Sequence, residues 1–510
     1  MTPKRIFLTL LTAIAVLVIG VDLFSSWNQP QFQSRLELYQ TDLLLQAAQA
    51  QGDPGTNSAR KALTDQNPQR TALESYQKTR TAVESAIATA ESQLDDPTIK
   101  SPDPTLQPEL IKQRSLRDEL NVRIGLLQAQ QGKPDDAIQT WNAVNQTNAP
   151  KLTKRGNLAQ TATILTDLWR NTLPPNAEPV LKQSLSGWFR NRALEKLYTL
   201  EQRSTELKQL QAIEQETAQQ ALVKWVSANA LPTIALILGL GLLLVLIGQR
   251  LLKGKQSVLA GTNLIRWAVP WDWETVWQVL VVGFFFVGQI LIGQLLLPIG
   301  LSVAKSAFGI DPSGFTIRDR ATLALITYLL LAFGSLGVLY GSIKPYLPLP
   351  EKWFGFSLRG KWFLWGLGGY LAAYPLVAGV SWINDQLWQG RGGSNPLLPI
   401  ALESRDPVAI GLFLVTASIA APLFEETFFR GFLLPSLTKY FTTWQAILLS
   451  SVLFAVVHLS LAEVIPLTTL GIILGFVYTR TQNLMASVLL HALWNSGTLL
   501  TLFLLGSAAT

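Results

Sequence analysis

The chain predicts an all-α fold: a polytopic membrane helix bundle of about eight helices plus an N-terminal anchor helix, with a soluble helical domain inserted after the anchor. Three observations carry this prediction. Apolar residues make up 48% of the 510 positions and charged residues only 15%, and the mean hydropathy is +0.26. Leu231 to Gly248, Thr275 to Ala304 and Ala321 to Ile343 each contain no Asp, Glu, Lys, Arg or His, and such runs are long enough to cross a hydrocarbon core of roughly 30 Å. The stretch 28–226 is instead rich in Gln, Ala and Leu, with balanced acidic and basic residues.

The elements follow in order. Lys4 and Arg5 precede the apolar run Ile6 to Val21, and the run ends in Asp22 and Trp27 without a small-x-small cleavage pattern. An interfacial aromatic suits a retained helix, so residues 1–27 are expected to be a membrane anchor rather than a cleaved signal peptide. In 28–226, Leu116, Leu120, Ile124 and Leu127 recur at helical spacing. Gly132 and Pro134 then break the chain, and Asp135 and Asp136 open a second helix carrying Ala137, Ile138, Trp141 and Val144. This helix–turn–helix resembles one tetratricopeptide unit without a clear 34-residue repeat around it; the alternative is an ordinary helical bundle. Leu197, Leu200, Leu207 and Leu210 continue an amphipathic stripe towards the membrane.

After Pro232 the pattern predicts spans near 231–249, 275–299, 320–342, 361–383, 407–429, 443–460, 463–480 and 484–506. Residues 227–399 are read as transmembrane helices of the bundle and 400–510 as a separate transmembrane region, in which the rare ionisable residues of the spans gather. Lys4 and Arg5 on the cytoplasmic side make 28–226 extracytoplasmic. Arg250, Lys253, Lys255, Lys344, Arg359, Lys361 and Arg480 then fall inside, in keeping with the positive-inside rule, whereas Lys305 and Arg318 fall outside.

Composition also excludes chemistry. With no cysteine, thiol nucleophiles, disulfide scaffolds and Cys-ligated metals are ruled out. The net charge of +7 is dispersed along the chain and gathers at the ends of apolar runs, which marks membrane anchoring and no nucleic-acid partner.

An ionisable side chain at the centre of a bilayer costs at least about 2.5 kcal/mol, so each one inside a span calls for a function. Glu425, Glu426 and Arg430 lie among large apolar residues between Pro422 and Gly431. Glu426 and Arg430 are four apart with the acid first, the favoured order for a helical ion pair. Glu425 points about 100° away on the same helix and is left without that partner, in apolar surroundings that make a carboxyl a stronger base. The only two histidines, His458 and His491, fall in consecutive apolar segments. Each has a helical neighbour four residues away, Phe454 and Asn495. A cluster of Glu425, His458, His491 and Asn495 inside one bundle follows, with Glu426, Arg430 and Phe454 supporting it. Glu463, Asp385 and Asp406 are expected at solvated helix ends, Gln289 and Gln294 in interhelical hydrogen bonds, and Gly471 and Gly475 at a close helix crossing.

In this order, the pattern Glu425-Glu426-x-x-x-Arg430, Phe454-x-x-x-His458 and His491-x-x-x-Asn495 resembles the three motifs of the CAAX-processing and bacteriocin-processing (CPBP, or Abi) intramembrane endopeptidases. The resemblance is specific over 400–505 and general in helical layout over 230–505. It implies that Glu425 and His458 activate a water, and that His491 and Asn495 bind the oxyanion. The expected activity is hydrolysis of a peptide bond in a membrane-associated or lipidated protein, as in type II CAAX prenyl proteases, at a site towards the cytoplasmic side. Chemistry gives independent support to these roles: a desolvated carboxyl is a suitable base, and amide or imidazole donors stabilise tetrahedral charge. Two histidines and a carboxylate also suit a divalent metal such as zinc, held by Glu425, His458 and His491, although the His-Glu-x-x-His spacing is absent. Both the glutamate-dependent and the metal-dependent readings stay open. A non-catalytic immunity, binding or scaffold protein is the alternative function. The partners expected are the lipid bilayer, a membrane-embedded peptide substrate, and a protein that meets residues 28–226.

Overall fold

The computed structural model describes residues 2–27, 29, 32–51, 67–94, 106–145, 153–260, 267–350, 353–394, 404 and 406–506. Among them the regular structure is helical. The chain divides into two compact units. One comprises Met1–Trp27, Leu231–Trp388 and Gly392–Phe503; the other comprises Asn28–Ala230 with Gln389–Arg391 and Leu504–Thr510.

The second unit holds α2 (Phe32–Ala47), α3 (Pro68–Leu94), α4 (Leu106–Gln130), α5 (Pro134–Asn145), α6 (Thr153–Trp169), α7 (Ala177–Ser184), α8 (Gly187–Leu200) and the start of α9 (Ser204–Lys253). The expected helix–turn–helix is α4 and α5, joined through Gly132 at φ 77°. Trp141 of α5 is fully buried and donates through Nε1 to the Val122 carbonyl at 3.1 Å. A Cβ at Gly125 would lie 2.2 Å from that same nitrogen, so glycine is what lets the indole in.

The membrane unit contains α1 (Pro3–Ser26), the apolar part of α9, α10 (Trp273–Phe308), α11 (Ile317–Ile343), α12 (Trp362–Trp388), α13 (Pro407–Leu437), α14 (Thr443–Val456), α15 (Leu461–Thr481) and α16 (Leu484–Gly506). Eight helices of the described chain are long and apolar enough to cross a membrane, and the anchor α1 is one of them. This is an integral multi-pass membrane protein. The span expected over 443–460 is shorter than the sequence pattern suggests. Helix α14 has 14 residues, a rise of about 21 Å. It stops because Val457 and His458 turn and Leu459 takes φ 57°.

That turn is fixed by polar groups from elsewhere in the unit. At the start of α15, the Leu461 N–H donates to Ser26 Oγ at 3.2 Å and the Ala462 N–H to the Gly392 carbonyl at 3.1 Å. These bonds satisfy donors that a helix start leaves unpaired. Gly392 sits at φ 102°, and a Cβ there would press on Ala462. Asn384 Nδ2 holds the Ala462 carbonyl at 2.7 Å. Helices α14 and α15 meet closely at the expected small residue, since a Cβ on Gly471 would lie 2.8 Å from Ser451 Cβ.

Three stretches of the bundle widen to π-helical i→i+5 bonding: Val279–Leu296 in α10, and Thr416–Ala420 and Glu426–Leu433 in α13. Each ends two residues before a proline. The Leu297, Ala421 and Leu434 N–H groups bond Ile292, Thr416 and Phe429 carbonyls, five residues back, and Pro298, Pro422 and Pro435 follow. Proline has no N–H to donate and its ring crowds the carbonyl four residues back; widening the preceding turn relieves that crowding. Glu425 therefore ends a five-residue α-helical segment, Ala421–Glu425, with a wider turn on either side.

Candidate active site

The carboxylates of α13 diverge, as their adjacent positions dictate. Glu426 is fully buried and its Oε1 accepts from Arg430 Nη1 at 2.9 Å. Arg430 Nη2 reaches the Gly471 carbonyl at 3.3 Å, and the guanidinium lies 4.4 Å from the centre of the Phe454 ring. The guanidinium thus joins α13, α14 and α15 through an ion pair, a carbonyl and an aromatic face.

Glu425 turns into a cavity of about 520 Å³ that is also lined by His458, His491 and Asn495. The four residues singled out in the sequence thus share one space. Its walls are mostly apolar, with Phe284, Phe413, Phe424, Leu467 and Trp494 among them. Gln289 and Glu463, expected in interhelical hydrogen bonds and at a solvated helix end, line it too.

Two histidine tautomers follow from their partners. His491 Nδ1–H donates to Glu426 Oε1 at 2.9 Å, because a carboxylate can only accept. The neutral ring then presents Nε2 as an acceptor, 3.9 Å from Glu425 Oε2. His458 Nδ1–H donates to the Phe454 carbonyl at 2.7 Å, which likewise leaves Nε2 of the neutral ring as an acceptor. The Phe454 ring packs edge-on against both, with centroids 5.0 Å from His458 and 5.7 Å from His491. Asn495 Nδ2 donates one hydrogen to the Ala417 carbonyl at 2.7 Å; an amide carries a second.

The sequence motifs pass over one residue, Tyr328 of α11. Its hydroxyl donates to Glu425 Oε1 at 2.8 Å and lines the cavity. A tyrosine inside the long uncharged run Ala321 to Ile343 was the available signal, since a buried phenol needs a partner. The other oxygen, Glu425 Oε2, is buried and has no hydrogen-bond partner among the described residues.

Among the described residues no group of three His, Cys, Asp or Glu side chains is placed to hold a metal ion. Glu425, His458 and His491 line one cavity without forming such a group in this arrangement.

Residues 407–497 match the family model described as "Type II CAAX prenyl endopeptidase Rce1-like". The similarity to the Rce1-like family is confined to residues 407–497. This segment runs from the start of α13 into α16 and contains Glu425, His458, His491 and Asn495. Over 88 residues, 17% of the chain, the protein is 31% identical to "Putative membrane peptidase YdiL" of Bacillus subtilis (strain 168), and the match spans 36% of that relative's length. No solved structure matches. Tyr328 and Gln289 reach the cavity from α11 and α10, outside the matched segment.

Proposed function

We propose that the protein is an intramembrane endopeptidase that hydrolyses a peptide bond of a membrane-associated or lipidated protein, with Glu425 as general base. The observation that carries the proposal is the shared cavity, in which Glu425 Oε2 stands beside His458, His491 and Asn495 without a hydrogen-bond partner among the described residues. A water donating to Glu425 Oε2 and His458 Nε2 gives one proton to Glu425 as its oxygen adds to the scissile carbonyl. The tetrahedral oxygen takes hydrogen bonds from the second Asn495 N–H and from Nε2–H of His491 when that ring carries both protons, its Nδ1–H remaining on Glu426. Such donors contribute on the order of 3 kcal/mol each in other hydrolases. Glu425 then returns its proton to the departing amine as the C–N bond breaks, and His458 accepts the proton released by the new carboxyl group.

Supporting this reading, Glu425 and His491 are held through their other polar atoms by Tyr328 and Glu426, so their reactive atoms are aimed before substrate arrives. The apolar cavity walls suit a membrane-embedded peptide. On the proposed orientation, Lys4 and Arg5 are cytoplasmic, residues 28–226 lie outside and recruit a protein partner, and α13 runs inward. The ion pairs of Lys4 and Arg5 with Glu274, at 3.1 and 2.9 Å, favour one side for the starts of α1 and α10.

The test is hydrolysis of a lipidated or membrane-anchored peptide by the purified full chain, with metal analysis on the same preparation. Glu425→Gln and His458→Ala are expected to abolish cleavage while the proteins remain folded, with no stoichiometric metal. Undiminished cleavage by either variant overturns the mechanism. Activity that follows a bound metal supports the metal-dependent alternative, and binding without cleavage supports a scaffold or immunity role.

A further inference from the structure

A second cavity, of about 510 Å³, opens between α9, α12 and α15, away from Glu425. Its origin is a close helix crossing. A Cβ on Gly239 of α9 would stand 2.1 Å from the Leu371 carbonyl of α12 and 2.7 Å from Pro375 Cδ, so the backbones touch where only glycine fits. Past this crossing the helices separate. Leu243 and Leu246 then face Leu364 and Gly368 across a gap floored by Ile473 and Phe476 of α15. A Cβ on Gly368 meets nothing within 4 Å, which marks open space along that wall.

The gap is hydrocarbon along its length and cationic at one end. Lys361, immediately before α12, lines it together with Val258 and Leu259. Arg480 Nη1 donates to the carbonyl of Ala260, the residue after Leu259, at 3.1 Å, which puts a guanidinium at the same end. Lys253, Lys255 and Arg359 flank these positions in sequence. No Asp or Glu occurs from Leu236 to Ala260, from Trp353 to Asn384, from Thr443 to Val456 or from Leu470 to Thr481, the stretches that border the groove. Trp365 and Trp444 also line the groove, and such rings favour the headgroup level of a membrane.

We propose that this groove is a binding site for one anionic phospholipid, with its phosphate at Lys361 and Arg480 and an acyl chain along the wedge between α9 and α12. An unbroken cationic end selects a net negative headgroup, and a hydrocarbon trough of this size takes an acyl chain. A zwitterionic lipid fills the trough equally well and gains much less at the cationic end. The site is independent of any hydrolytic activity.

The full chain reconstituted in phosphatidylcholine vesicles provides the test, with tryptophan quenching by lipids carrying brominated chains. The component due to the groove is the part lost in the double variant Trp365→Phe/Trp444→Phe. Brominated phosphatidylglycerol is expected to quench that component at a several-fold lower mole fraction than brominated phosphatidylcholine. Lys361→Gln is expected to remove most of this preference while leaving quenching by phosphatidylcholine intact. Gly368→Leu, which fills the trough, is expected to reduce quenching by both lipids. Equal quenching by the two lipids in the unaltered protein, or an undiminished preference in Lys361→Gln, overturns the proposal.

Discussion

Replacing Tyr328 with Phe isolates one hydrogen bond in the proposed mechanism. The substitution keeps the ring and its edge-on packing against Phe424, 6.1 Å between centroids, and removes only the 2.8 Å bond from the hydroxyl to Glu425 Oε1. That bond decides which carboxylate oxygen is committed and which is free to meet water. Without it the carboxyl rotates about its terminal torsion and its aim is shared between orientations. A hydrogen bond to a charged group contributes about 1.5–3 kcal/mol, which corresponds to a loss of roughly ten- to 150-fold in rate. The loss is expected in kcat, with KM little changed, because the hydroxyl holds the base and not the peptide. Steady-state cleavage of a membrane-anchored peptide gives both constants, and circular dichroism with a thermal melt shows whether the variant folds as its parent does. If a properly folded Tyr328→Phe protein keeps kcat within twofold while Glu425→Gln is inactive, Tyr328 does not position the base.

Two further predictions concern stability. Arg430 and Glu426 are both essentially out of solvent, so Arg430→Ala leaves a buried carboxylate without its guanidinium, held only by His491 Nδ1–H, and is expected to destabilise the protein by about 3–5 kcal/mol. The double variant Glu426→Leu/Arg430→Met should recover much of that loss in a detergent unfolding experiment yet stay inactive, because His491 loses its Nδ1 anchor. An unchanged unfolding midpoint for Arg430→Ala refutes the first expectation. In the second compact unit, hydrogen bonds from Lys182 and Arg203 hold the Glu178 carboxyl down at about 2. A carboxyl lowered on folding stabilises above its unfolded value of about 4.3, and the gain fades as pH falls from there through the folded value. Glu178→Gln is therefore expected to cost on the order of 1 kcal/mol at pH 7 after solvent screening and almost nothing at pH 2. Denaturant unfolding at the two values measures it, and a gap that widens in acid contradicts the assignment.

What the sequence determined by itself follows from the solvent. A hydrocarbon medium forces backbone groups to bond within the helix and penalises charge, so long uncharged runs mark spans and the rare polar residues within them stand out. Glu425, Glu426, Arg430, His458, His491 and Asn495 were legible for that reason, and the i,i+4 pairing of Glu426 with Arg430 is local enough to read from spacing alone. Contacts distant along the chain were not legible. His491 bonds Glu426 from 65 positions away and Tyr328 bonds Glu425 from 97 away, and no periodicity encodes either meeting. The shortness of α14 also escaped the pattern, because apolar residues continue past Val456 while the helix stops where Leu459 takes φ 57° and Gly392 and Ser26 hold the next turn. Hydropathy measures preference for the membrane, a property of each residue alone. Which nitrogen of a histidine faces the cavity, and which oxygen of Glu425 is left free, depends on partners that only the packed bundle brings within hydrogen-bonding distance.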